Sequence, residues 1–144
     1  MIVPDANLLL YAYDDASPFH ARARQWWTEC LSGNEPVGFT HPVLFAFVRI
    51  ATSSRAYLRP MTLAEASGHV ASWLNRKVSR VLQPDANYVA QVQSLLQAAA
   101  SAGGNLVTDA QVAALAIAHR ATVHAADRDF ERFAGLNCRY PLEG

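Results

Sequence analysis

The chain has 144 residues, enough for one domain with one core. Hydrophobic residues make up 51% and charged residues 17%, which excludes a disordered polyelectrolyte, and no apolar run approaches the roughly 20 residues of a membrane-spanning helix. Formal net charge is zero, yet between His41 and Pro84 the basic residues Arg49, Arg55, Arg59, Arg76, Lys77 and Arg80 face a single acid, Glu65, a pattern of either solvated helix faces or a basic rim for a polyanion.

Ile2-Val3-Pro4 predicts a short opening strand. Neither a basic start nor a long apolar stretch marks a signal peptide, so a cytoplasmic location is expected. A helical stretch follows over Leu8 to Tyr13. Ser17-Pro18 predicts a second helix from about Phe19 to Leu31, with Ser17 as N-cap and Gly33-Asn34 at its end. Pro36 to Phe39 is a short strand, and Val43, Leu44, Phe47, Val48 and Ala51 recur at helical spacing. Thr62, with Glu65 three residues on, has the pattern of a capping box for a helix to about Asn75. Val81 and Leu82 read as a strand. Asp85 caps a helix from Ala86 to about Ala102, closed by Gly103-Gly104. Asn105-Leu106-Val107 leads into a helix from about Ala110 to His119. Thr122 to Ala125 is a strand, Asp129 to Phe133 a helical turn, and Arg139-Tyr140 a last strand. With no repeat or linker, residues 1–144 read as one domain. Cys30 and Cys138 form no CxxC and read as reduced core residues.

Short strands alternating with helices imply a central parallel sheet covered on both faces, a three-layer α/β/α architecture. Ligands of open parallel sheets bind at the carboxyl ends of the strands. Asp5 ends the first strand, Asp109 lies at the start of a helix, and Asp127 ends a late strand with Asp129 two residues on. Each alone fits a helix cap or first-turn acid as readily as a catalytic role. Together at one sheet edge they repel, and a cation relieves the repulsion. Hard oxygen donors favour Mg²⁺ or Mn²⁺ over zinc, and a Mg²⁺ site with few protein ligands suits phosphate chemistry.

Three stretches carry a resemblance to a known family: the opening MIVPDANLLLYAY, the middle FAFVRIATSSR and the closing GGNLVTDAQVAALAIAHRATVHAADRDFERF. In motif and order they resemble the mycobacterial-type VapC toxins of the PIN-domain ribonucleases, over nearly the whole chain. The resemblance implies the PIN fold, a Mg²⁺-dependent endoribonuclease activity on RNA, a homodimer, and inhibition by a VapB-like antitoxin. It implies Asp5 and Asp109 as principal metal ligands, Asp127 as the acid completing the site, and Asp129 as a further acid nearby. The sequence departs from the family where many PIN domains carry a glutamate on the helix after the second strand: that place falls on Ala46.

Residues beside the acids have two readings each. Asn7 orients a water or contacts phosphate, or bonds the helix start. Thr108 holds a water beside the metal, or caps a helix. Arg49 and Thr52, three apart on one helix face, reach the phosphate or the acids. The histidines form no ligand pattern and read as structural or surface residues. Phe19, Trp26, Trp27, Phe45, Phe47 and Trp73 either fill the core or supply a homodimer face and an antitoxin groove. Two competing functions are a binding-only PIN domain with a degenerate site, which Ala46 favours, and a receiver-type signalling domain. The latter wants paired acids early and a late lysine, whereas Asp14-Asp15 follow the first helix and Lys77 precedes the third strand.

Overall fold

The computed structural model describes residues 1–99 and 106–143. Five strands, β1 (Ile2–Pro4), β2 (Val37–Phe39), β3 (Ser79–Val81), β4 (Thr122–His124) and β5 (Asn137–Arg139), form one parallel sheet in the order β3-β2-β1-β4-β5. It is flanked by α1 (Ala6–Tyr13), α2 (His20–Ser32), α3 (His41–Ala51), α4 (Leu63–Leu74), α5 (Tyr88–Ala98) and α6 (Leu106–Ala118). The central strands β1 and β2 are buried throughout, which explains why they read as short apolar runs without alternation. From β1 the chain runs to β2 on one side, while β4 docks on the other, so strand order reverses between β1 and β4. Pairing of Ile2 with Thr122 and Pro4 with His124 brings both carboxyl ends level at that reversal.

Aromatic packing holds the β2 side of the core. Trp73 stacks on Phe39 and meets Phe47 and Trp27 edge-on, with ring centroids 4.7 Å apart for Phe47. Its indole N–H donates to the Tyr13 hydroxyl at 2.7 Å, so burial of this polar atom is compensated. Trp27, Phe47 and Trp73 are therefore core residues and offer nothing to a partner, whereas Phe19 and Phe45 are exposed and Trp26 is half-buried. Cys30 and Cys138 are free thiols, buried and half-buried. Gly38 admits a close neighbour: a Cβ there would lie 2.8 Å from the Met1 sulfur.

Several boundaries differ from the sequence reading. The Ser17 hydroxyl accepts from the Phe19 amide in a local turn, and α2 starts only at His20. Asp85 likewise turns back to the Asn87 amide, and α5 starts at Tyr88. Both side chains satisfy a backbone donor ahead of the helix instead of within it. The capping box is present: Thr62 accepts from the Glu65 amide and Glu65 from the Thr62 amide. β3 and β5 sit one or two residues earlier than expected. The predicted end of α5 at Ala102 and Gly103-Gly104 lies outside the described residues. α6 is helical from the first described residue, Leu106, ahead of the expected Ala110, so Thr108 and Asp109 stand inside the helix and neither is its N-cap.

Candidate active site

The acids meet at the strand reversal. Asp5 follows β1, and its amide donates to the His124 carbonyl at 2.9 Å, tying the end of β1 to β4. Its backbone is extended, as in an N-cap, but its side chain makes no cap bond across the first turn of α1. Asp127 follows β4, and its carboxylate accepts from the Asp129 amide at 3.0 Å, a turn that presents both side chains. Asp109 enters from the first turn of α6. All four line one small pocket of about 70 Å³, together with Asn7, Ala46, Arg49 and Thr108.

Burial pushes the Asp5 carboxyl up to about 6; the Ala6 amide offsets part of this, and repulsion from Asp127 and Asp129 adds to it. Burial likewise pushes Asp109 up to about 7, reinforced by Asp5, Asp127 and Asp129 and opposed by Arg132. Among the described residues neither Asp5 nor Asp109 has an ion-pair partner; Arg132 approaches only Asp129, at 4.0 Å. Four carboxylates against Arg49 leave the pocket net negative when ionised, and a cation would offset that charge. No three acidic, histidine or cysteine side chains close into a metal cage among the described residues. The acids instead rim a pocket, an arrangement that fits a hard cation held by few carboxylates and keeping most of its waters.

Of the residues singled out from the sequence, Asp5, Asn7, Arg49, Thr108, Asp109, Asp127 and Asp129 share the pocket. Thr52 does not: its hydroxyl donates to the Val48 carbonyl at 2.7 Å, so it finishes α3 and does not line the site. The side chains of Asn7 and Thr108 make no hydrogen bond among the described residues, unlike the capping roles weighed for them. Ala46 lines the pocket, so at this place α3 presents a methyl group, not a carboxylate, to the acids. The basic middle segment is not one rim. Arg49 is at the site, while Arg76 and Lys77 precede β3, at the opposite edge of the sheet, where Arg76 donates to the Leu31 carbonyl. Asp14 and Asp15 lie beyond α1 against Tyr57 and Arg59, away from the acids, which removes the geometry of a receiver domain.

Sequence reasoning missed Arg128. Between Asp127 and Asp129, it turns away from the pocket, pairs with Glu131 at 2.5 Å and with Glu143, and lies 4.3 Å over the Tyr140 ring. Alternation through the D-R-D run was the available signal: neighbours in a tight turn face opposite ways. These exposed pairs contribute little stability each, but together they fix the turn that carries two of the four acids.

The PIN domain family model matches residues 2–136. The chain is 40% identical over 142 residues to Ribonuclease VapC33 of Mycobacterium tuberculosis, with 99% of each chain covered. It is 38% identical to Ribonuclease VapC37 of the same species over 141 residues, covering 98% and 97%. This chain is a VapC-type PIN domain. VapC-type structures share its fold. Mycobacterium tuberculosis VapC20, a sarcin-ricin loop cleaving toxin, superposes with a TM-score of 0.69 at 18% identity, covering 95% of this chain and 99% of that one. Rickettsia felis VapBC2, bound to a promoter DNA fragment, gives 0.69 at 18% identity, covering 97% and 98%. PIN-domain ribonucleases as a class generally depend on a divalent metal. No described helix is long and apolar enough to cross a membrane.

Proposed function

We propose that this VapC-type domain is a metal-dependent endoribonuclease, the toxin of a toxin–antitoxin pair, acting on RNA in the cytoplasm. The observation that carries the reading is the pair Asp5, buried, and Asp109, half-buried, neither with an ion-pair partner among the described residues, in one pocket with Asp127 and Asp129. Mg²⁺ is the expected ion, with Mn²⁺ able to replace it. Asp5 and Asp109 would hold it and Asp127 would complete the set. Bound there, it would supply Lewis-acid stabilisation of the phosphate and lower the pKa of a coordinated water. Asp127 and Asp129, held by their shared turn, would orient the attacking water on the open side. Asn7 and Thr108, with free polar groups at the rim, would hold solvent or phosphate oxygens. Arg49 would neutralise the incoming backbone. Water as nucleophile leaves a 5′-phosphate and does not use the 2′-hydroxyl. The names of the curated relatives support the ribonuclease reading, and the VapBC complexes among the structural neighbours support a VapB-like antitoxin as partner. A homodimer is part of the same proposal, and exposed Phe19 and Leu58 are apolar surface available for such contacts.

Ala46 supports a second reading, a binding-only domain that lost an acid. Cleavage of total RNA by the parent, Asp5→Asn and Asp109→Asn, each with Mg²⁺ and with chelator, separates the two. The nuclease reading expects Mg²⁺-dependent cleavage by the parent and a loss of at least about a hundredfold in either variant, roughly 2.7 kcal/mol of barrier. Equal residual cleavage in all three proteins would assign it to a contaminant and favour the binding-only domain.

A further inference from the structure

Beside the acidic pocket runs a larger open groove, of about 600 Å³, between α3 on one wall and α5 and α6 on the other. Its α3 wall is a stripe spaced by four: His41, Phe45 and Arg49. Its α6 wall presents Thr108, Gln111 and Leu115, and Tyr88 opens α5 beside them. Ala46, Arg49 and Thr108 line both this groove and the acidic pocket, so the two are continuous. We propose that the groove is a nucleobase-binding subsite, which seats a base of single-stranded RNA next to the phosphate at the acids. The inference rests on the ribonuclease reading and adds to it where substrate selectivity resides.

Four observations support it. Phe45 is 69% exposed on the groove wall and offers a flat apolar face on which a base can stack. Arg49 stands one helical turn from Phe45, has no partner among the described residues, and sits at the junction where the chain's next phosphate would lie. Gln111 lines the α6 wall beside Tyr88, so an amide that can read a base edge stands opposite the Phe45 wall. The volume lies within the range of roughly 300–1,000 Å³ that suits small-molecule sites. A ring to stack on, an amide across from it and a lone cation are the elements that recognise unpaired nucleotides. An amphipathic partner helix would want a continuous row of apolar anchors, and here polar groups and a cation interrupt the row. A basic side chain reaching for the acids through this groove would also meet Arg49.

The test uses fluorescence anisotropy with labelled single-stranded oligoribonucleotides of each homopolymer sequence, in full-length Asp109→Asn protein with Mg²⁺ so that the probe survives. Phe45→Ala should weaken binding about tenfold and Phe45→Trp should retain it. Gln111→Ala should change the ranking of the homopolymers more than the mean affinity, and Arg49→Ala should weaken all of them and reduce the salt dependence. Phe45 and Arg49 are exposed, so their variants should melt like the parent. Unchanged RNA binding by both Phe45→Ala and Gln111→Ala would overturn the proposal while leaving the ribonuclease reading intact. Unchanged RNA binding with loss of self-association in Phe45→Ala would also overturn it, and would assign the groove to a protein contact. A parent that cleaves no RNA defeats the ribonuclease reading separately, because anisotropy does not require turnover.

Discussion

Asp5 and Asp109 ionise at 3.8 in an unperturbed chain and near 6 and 7 in the fold. The folded state therefore holds these protons more tightly than the unfolded state does. Their contribution to stability is complete below about pH 4 and is lost as pH rises through about 6 and 7. His124 has the opposite sign. Burial lowers its imidazole to about 4, and the Trp26 indole donates to its Nδ1 at 3.0 Å, a bond that only the neutral ring accepts. Its contribution is full above about pH 6.5 and is lost as pH falls toward 4. With chelator present, Asp109→Asn should thus gain melting temperature over the parent at pH 8 and gain little at pH 5. A gain of 1 kcal/mol corresponds to about 2–4 °C in a chain of this size. Saturating Mg²⁺ should raise the parent but not Asp109→Asn. A pH-independent difference between the two proteins would mean that the Asp109 charge is already compensated.

Elements explain how a turn can matter more to chemistry than to stability. Arg128 anchors the segment from Asp127 through the turn Asp129–Arg132 by exposed contacts to Glu131, Glu143 and Tyr140. Exposed pairs of this kind contribute about 0–1 kcal/mol each. Thr62, by contrast, caps α4 on the exposed surface and has no role at the acids. Arg128→Ala should therefore lower the cleavage rate about tenfold with little change in melting or in KM. Thr62→Ala should cost about 1 kcal/mol of stability and leave cleavage unchanged. The same fall in rate for both variants would show a common loss of folded protein instead of a positioning effect. Helix starts were the least legible part of the sequence for a related reason. Ser17 and Asp85 have cap chemistry, but each bonds two residues ahead in a local turn, and residue type alone does not distinguish the two geometries. Leu106 and Val107 looked like a lead-in because apolar β-branched and leucine residues do not announce a helix, yet both are already helical. The acids at β1 and β4 were legible because apolar runs ending in Asp follow directly from the rule for parallel sheets. Gln111 was not, and Phe45 was legible only as one of six aromatics for core or partner, since which face of α3 meets which face of α6 is a tertiary fact.

At the scale of the molecule, buried Trp27, Phe47 and Trp73 leave Phe19, Phe45, Leu58 and Leu63 as the large apolar side chains most available to partners. If Phe19 and Leu58 carry the homodimer, sedimentation of the metal-bound parent at micromolar concentration should give twice the mass of 15.7 kDa, and Phe19→Ser with Leu58→Ser should give the single mass. A parent that sediments as the single mass would leave these side chains to the antitoxin alone.

The site joins Asp5 to Asp109, Asp127 and Asp129, acids drawn from nearly opposite ends of the chain. On the ribosome this ordering acts as a timer. Asp5 emerges before its three companions, which follow on the order of ten seconds later at about 5–20 residues per second. Throughout that interval the transcript being read is threaded beside a chain that has no complete acid set with which to cut it. The acid set is complete only once Asp109, Asp127 and Asp129 have followed Asp5 out of the ribosome, which leaves an antitoxin already present the opportunity to meet the toxin as it folds.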